Sequence, residues 1–187
     1  MNRPPDSPGQ GCAGESRRLF FALWPDARLR EQLAERIRPL VASVPGRPQR
    51  ADQWHVTLEF LGAVPEARVS AVREAASDVR ARPFELVLDT VEHWRRPAVL
   101  SLIPRDCPPE LHALVAALRR SLEARGFDPE RRTYRPHLTL ARRVGAPPDV
   151  PAPNPVSWPA SEFVLVQSTS GRQGSIYEPL AAWPLVA

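Results

Sequence analysis

The stretch QWHVTLEFLG (residues 53–62) reads as a β-strand with a histidine at its head. Side chains alternate faces along a strand, so His55, Thr57 and Glu59 are expected on one side and Val56, Leu58 and Phe60 on the other. The apolar side faces a core. A single His-x-Thr on the polar side needs no function, since a histidine near a strand end is ordinarily a half-solvated boundary residue. The reading changes with YRPHLTLARRV (residues 134–144), where His137, Leu138, Thr139 and Leu140 repeat His55, Val56, Thr57 and Leu58 82 positions later. With 4 His, 5 Thr and 20 Leu, chance supplies one His-x-Thr-Leu in about one such chain in a hundred and two in about one in ten thousand. Two similar lobes, each offering a histidine and a threonine to a shared cleft, are therefore expected.

The elements around the motifs fit that layout. RLFFALW (18–24) predicts a strand, and Pro25-Asp26 opens a helix with Leu29, Leu33 and Ile37 on one face. Pro65 starts a second helix that buries Val69, Val72, Ala76 and Val79. FELVLDTVE and AVLSLIP predict two strands joined across HWRRP. Pro108-Pro109 begins a third helix, with Leu111, Leu114, Val115, Leu118 and Leu122 inward and Gly126 as its cap. The proline-rich segment 145–159 is expected to be a loop, because proline lacks the ladder donor. SEFVLVQS and YEPLAAWPL predict the closing strands. There is neither a Gly-rich dinucleotide turn nor a GxxxxGK[ST] stretch, so an α+β fold with mainly antiparallel sheets follows.

Composition narrows the class. The 187 residues suffice for one domain, expected over 18–187 behind a flexible tail at 1–17. No long apolar run or signal-like segment occurs, which predicts a cytoplasmic protein with no membrane partner. Cys12 and Cys107 are too few for a disulfide framework or a multi-cysteine metal site. All 25 basic residues are arginine against 21 acidic ones, a net charge of +4 that suits a polyanionic partner.

Two imidazoles facing one phosphate supply a base for the incoming oxygen and an acid for the outgoing one at neutral pH. The hydroxyls of Thr57 and Thr139 project on the same faces, where they can donate to non-bridging oxygens. A metal site is the rival use of the histidines, but the sequence has no His-x-x-x-His or nearby carboxylate set. A non-catalytic module binding an RNA end or a nucleotide is the second alternative, and RNA sealing by the reverse reaction the third. His93 is expected to be exposed without a task, and His112 to be a boundary residue beside the apolar stripe of the third helix. Phe20 and Trp94 are candidate walls for a nucleobase, and Arg131, Arg132 and Arg135 can steer a phosphate toward His137.

HVTLEFLG, YRPHLTLAR and the C-terminal IYEPLAAWPL, in that order after LFFALWPD and around HWRRPAVL, resemble the two-histidine (2H) phosphoesterase superfamily. The likeness is closest to its LigT-like RNA 2′,3′-cyclic phosphodiesterases, once named 2′-5′ RNA ligases, and runs from about Arg18 to Leu185. The resemblance implies a bilobal, pseudo-symmetric α+β fold, two mainly antiparallel sheets lining a central cleft, and helices on the outer faces. It implies hydrolysis of a terminal 2′,3′-cyclic phosphate to a 2′-phosphate with no metal and no cofactor; separately, a monomer is expected. By the same resemblance His55 is the proton donor and His137 the proton acceptor. Trp54 and Ala98 depart from the family pattern, which often has an apolar residue and an arginine there. Arg142 matches the basic residue after the second motif, yet strict alternation puts it on the face opposite His137, so it reaches phosphate only if the strand ends or twists.

Overall fold

The computed structural model describes residues 15–42, 44–146, 149, 154–171 and 174–186. The chain opens on strand β1 (Ser16–Leu23), which takes up two residues of the expected tail; residues 1–14, Cys12 among them, lie outside the described residues. Both faces of β1 are buried. Leu19, Phe21 and Leu23 enter the main core, while Phe20 and Ala22 join Val164 and Val166 in a small second cluster on the other face. Helix α1 (Ala27–Val41) follows, its first turn capped by the Asp26 carboxylate, which accepts from Leu29 N–H at 2.7 Å. Such a cap is worth about 1 kcal/mol.

A two-residue strand β2 (Arg47–Pro48) precedes β3 (Val56–Pro65), which carries the first motif. Helix α2 (Val69–Ser77) leads to β4 (Phe84–Leu88), β5 (Thr90–Trp94) and β6 (Val99–Ile103). FELVLDTVE is thus two strands, separated at Asp89, whose carboxylate accepts from Arg105 N–H and the Thr90 hydroxyl. Helix α3 (Pro109–Glu123) buries the five apolar residues expected of it, and β7 (Leu138–Arg142) carries the second motif. The segment expected to be loop at 145–159 contains β8 (Val156–Ala160); residues 147, 148 and 150–153 lie outside the described residues. β8 pairs with β4 in a separate two-stranded sheet, and as an edge strand it tolerates Pro159. β9 (Glu162–Gly171) and β10 (Gly174–Pro184) complete the chain.

The large sheet runs β10-β9-β1-β3-β7-β6-β5, with β2 alongside β7, and every pairing is antiparallel. It consists of two four-stranded halves, β10-β9-β1-β3 and β2-β7-β6-β5. The halves meet at a single paired position, Val56 with Leu138. Those two residues sit between the histidine and the threonine of each motif, so the seam brings the motifs together. Gly46 lets β2 approach the end of β7, since a Cβ there would come within 2.8 Å of the Arg142 carbonyl oxygen. Helix α1 packs against β7 and α3 against β3, so each helix supports the other half's motif strand from the core side.

Candidate active site

Both histidines precede their strands and are held by the same device. His55 Nδ1 lies 2.7 Å from the carbonyl oxygen of Gln53, and His137 Nδ1 lies 2.9 Å from that of Arg135. A carbonyl only accepts, so each Nδ1 carries a proton and each Nε2 is left for other work. In both motifs the clamp reaches back two residues.

The environments of the two rings differ. His55 is packed among Trp24, stacked at 5.7 Å, Phe20 at 4.9 Å and Tyr177, edge-on at 5.1 Å. Burial pushes its pKa down to about 4, against the bond to Gln53, and positive charge at His137 and Arg142 adds to the lowering. His137 has one aromatic neighbour, Trp94, edge-on at 4.6 Å. Burial lowers its pKa too, with Arg142 and Arg135 pushing the same way. Arg142 therefore acts on both rings.

The position of Arg142 follows from a break in alternation. On β7, Thr139 pairs with Ser101 and Ala141 with Leu100, which leaves Leu140 as an extra residue, a β-bulge. On β3, Thr57 pairs with Ala22 and Glu59 with Phe21, which leaves Leu58 extra at the equivalent place. Each bulge reverses the faces beyond it. The burial sequence is the same in both strands: buried, half-buried, buried, buried, exposed. Arg142 accordingly turns to the cleft, and so does its counterpart Phe60, expected from alternation to be in the core but 45% exposed. Glu59, expected beside His55, instead turns inward.

Its carboxylate is fully buried, accepting from Arg119 Nε at 2.6 Å and from Glu130 N–H at 2.7 Å. Nearby, the Tyr134 hydroxyl donates to the Thr57 carbonyl at 3.0 Å, and burial raises the Tyr134 pKa well above the usual phenol range. The segment leading to His137 is thus fastened to β3 twice.

Two concavities flank the seam. One of about 480 Å³ is bordered by His55, Arg142 and Phe20, with Arg18, Arg47 and Arg50 around it. The other, of about 470 Å³, is bordered by His137, Trp94 and Arg135. Thr57 and Phe60 border both. Thr139 is half-buried opposite Ser101 and borders neither. Phe20 is 3% exposed and supports the His55 ring, so it presents no free face to a base. Trp94 is half-buried and borders the His137 concavity, with His137 edge-on to it and the Arg135 guanidinium 5.1 Å from its ring. Arg135 is tied to Glu92 at 2.9 Å, Arg131 to Asp128 and Arg132 to Glu130. His93, expected to have no task, lies 2.7 Å from the Val144 carbonyl oxygen; Trp54 is core, and His112 is exposed.

Sequence reasoning missed Phe60 and the inward Glu59. The signal lay in the second copy, where Leu140 and Ala141 are consecutive apolar residues before Arg142. Strict alternation would bury that arginine, a cost that argues for a change of face.

Comparison with known proteins agrees with the twofold layout. The model of the LigT-like phosphoesterase family matches twice, over residues 23–101 and 100–177, each match holding one His-x-Thr. The RNA 2′,3′-cyclic phosphodiesterase of Escherichia coli is 34% identical over 172 residues, 91% of this chain and 98% of that protein. The protein of the same name from Aeropyrum pernix is 30% identical over 82% of this chain and 91% of its own. The crystal structure of E. coli LigT in apo form superposes with a TM-score of 0.83 at 34% identity, covering 93% of this chain and all of that one. That of the 3′-AMP complex gives 0.82 over 92% and 100%. The duplicated motif, the α+β fold and these matches place the chain in the LigT-like phosphoesterase family.

Proposed function

We propose that this protein hydrolyses the terminal 2′,3′-cyclic phosphate of an RNA or nucleotide to a 2′-phosphomonoester by acid–base catalysis between its two histidines. The observation that carries the reading is the paired clamp, in which each Nδ1 is bound to the carbonyl two residues back and an unengaged Nε2 is left on either side of the seam. The name of the E. coli relative and the capture of 3′-AMP by E. coli LigT support the substrate class.

In this mechanism His137 Nε2 takes a proton from water as the water oxygen bonds to phosphorus. The bond from phosphorus to the 3′ oxygen breaks, and His55 Nε2–H protonates that oxygen as it leaves. Solvent then takes the extra proton from His137 and returns one to His55, which restores both rings for the next turnover. His55, held down to about 4 in the open cleft, gains its proton when an anionic phosphate lies beside it, because a negative charge raises a histidine pKa. Thr57 and Thr139 are assigned as donors to the non-bridging oxygens, and Arg142 as the charge that stabilises them.

Phosphorus NMR of a 2′,3′-cyclic phosphate incubated with the protein in EDTA tests the reading. The cyclic resonance is expected to give way to a 2′-monoester alone, at a rate that chelation leaves unchanged. A 3′-monoester product, or activity that needs an added divalent ion, overturns it.

A further inference from the structure

The row of side chains that crosses the sheet at each motif threonine is apolar in one half and polar in the other. Thr57 pairs with Ala22 on β1, and Ala22 pairs with Val164 on β9. At the equivalent places Thr139 pairs with Ser101 on β6, and Ser101 pairs with Glu92 on β5. The two ladders shift register at the same point, between Phe21 and Ala22 in one and between Leu100 and Ser101 in the other, so the positions correspond. Ala22 and Ser101 are both 0% exposed.

An alanine suits so enclosed a place, and a serine does not. Among the described residues the Ser101 hydroxyl has no hydrogen-bond partner. A buried hydroxyl left unpaired destabilises the fold, and most such groups are paired. On one side of Ser101, Glu92 is engaged, since Arg135 donates to both of its carboxylate oxygens at 3.0 and 2.9 Å. On the other side is Thr139. Residues directly opposite in an antiparallel pair share a face, with Cβ atoms about 4.5–5.5 Å apart, so a turn about χ1 brings one hydroxyl to the other. Thr139 is also the threonine in need of orientation: Thr57 borders both concavities, whereas Thr139 is half-buried and borders neither.

We propose that Ser101 is a positioning residue for Thr139, its hydroxyl donating to Thr139 Oγ1 so that the Thr139 proton is left to point at a non-bridging phosphate oxygen. This role rests on the cyclic phosphodiesterase reading and adds to it a residue that touches no substrate. A hydroxyl carries one proton and two lone pairs, so Thr139 can accept from Ser101 while donating to phosphate, and each bond strengthens the other. The serine thus gives up stability in the resting fold for a directed donor during turnover, the kind of local conflict found at functional sites.

The test is a double-mutant cycle on Ser101→Ala and Thr139→Ala, read as kcat and KM for 2′,3′-cyclic AMP beside urea unfolding. Ser101→Ala is expected to lower kcat about fivefold, the rate equivalent of one neutral hydrogen bond, with KM little changed. The same change should cost nothing further in Thr139→Ala and its full fivefold, roughly, in Thr57→Ala. Unfolding should need as much urea as in the wild type or more, because the unpaired hydroxyl is gone. With the two diastereomers of adenosine 2′,3′-cyclic phosphorothioate, Ser101→Ala and Thr139→Ala should shift the preference between isomers in the same direction, since both weaken donation to one oxygen. An unchanged kcat in either single variant, or a loss that persists in the Thr139→Ala background, overturns the assignment. So does a faster Ser101→Ala, in which the serine had been taking the Thr139 proton for itself, and so does a destabilised or unfolded one, which makes the serine a packing residue. Should the wild type hydrolyse no cyclic nucleotide, the phosphodiesterase reading fails. Titration with adenosine 2′-monophosphate then judges the pair by itself: Ser101→Ala must weaken binding where Thr139 is present and not where it is alanine, and equal affinity in the wild type and Ser101→Ala overturns it.

Discussion

The two motif strands are the same backbone filled with different residues. Each has a histidine clamped through Nδ1, a half-buried threonine, a bulged leucine, one further buried residue and then one turned out to the cleft. β3 puts Glu59 and Phe60 in the last two places where β7 has Ala141 and Arg142. His55 is surrounded by three aromatic rings, from β1, the residue after it and β10, where His137 meets one, from β5. The backbone thus sets where a side chain points and the residue sets its task. Repetition builds the two clamped histidines, and divergence at the two places after the bulge provides an anchor and a ring on one side and a cation on the other.

The sharpest way to break the comparison is to remove each histidine in turn. His55→Ala and His137→Ala should each lower turnover of a cyclic nucleotide by about a hundredfold or more. With a p-nitrophenyl ester, whose leaving oxygen needs no proton, His55→Ala is expected to lose much less than His137→Ala. Equal losses on that substrate, or a milder His137→Ala, reverse the donor and acceptor roles.

A second difference lies at Glu59 and Ala141. Taking the carboxylate from a buried pair strands the partner charge and typically costs 3–5 kcal/mol. Glu59→Ala should lower the urea unfolding free energy by about 3 kcal/mol. Ala141→Gly, at the equivalent position in β7, should cost about 1 kcal/mol. Similar losses in both would mean that the anchor adds nothing.

The third difference is read from pH. An unfolded chain takes up a proton at His55 near 6.5 and the folded one only near 4. Between those values the unfolded state binds more protons, so stability falls as pH is lowered through the window and levels off below it. The loss from His55 is at most roughly 3 kcal/mol, and the lowered His137 adds to it with the same sign. Unfolding curves at pH 7, 5.5 and 4 should show this slope flattened in His55→Gln and flattened less in His137→Gln. The reverse order would mean that the aromatic surround of His55 does not control its charge.

Much of this was legible beforehand. Side-chain alternation and the recurrence of His-x-Thr gave the paired motifs, and apolar spacing gave all three helices. The bulges were hidden, because a bulge is a backbone event and leucine at 58 or 140 is equally at home in a regular strand. One unseen residue in each strand was enough: Leu58 moved Phe60 and Glu59 to the wrong faces, and Leu140 left Arg142 without a route to the cleft. β8 was hidden for another reason: prolines before and within Val156–Ala160 mask a strand that needs only one paired edge. At Phe20 and Trp94 the sequence showed aromatic residues near the site, but whether a ring face is free depends on neighbours distant in the chain.

The seam is a mechanical joint. A ladder one pair long, Val56 with Leu138, has little stiffness against twisting or splaying of the half-sheets. Resistance to those motions comes from elsewhere: from α1 and α3 crossing to opposite halves, and from the two struts that Glu59 and Tyr134 make between β3 and the segment before His137. The spacing of the two imidazoles is thus governed by side chains and helix packing more than by sheet hydrogen bonds. Substitutions at Arg119 and Tyr134, which border the concavity of His137, would loosen that spacing without removing either imidazole.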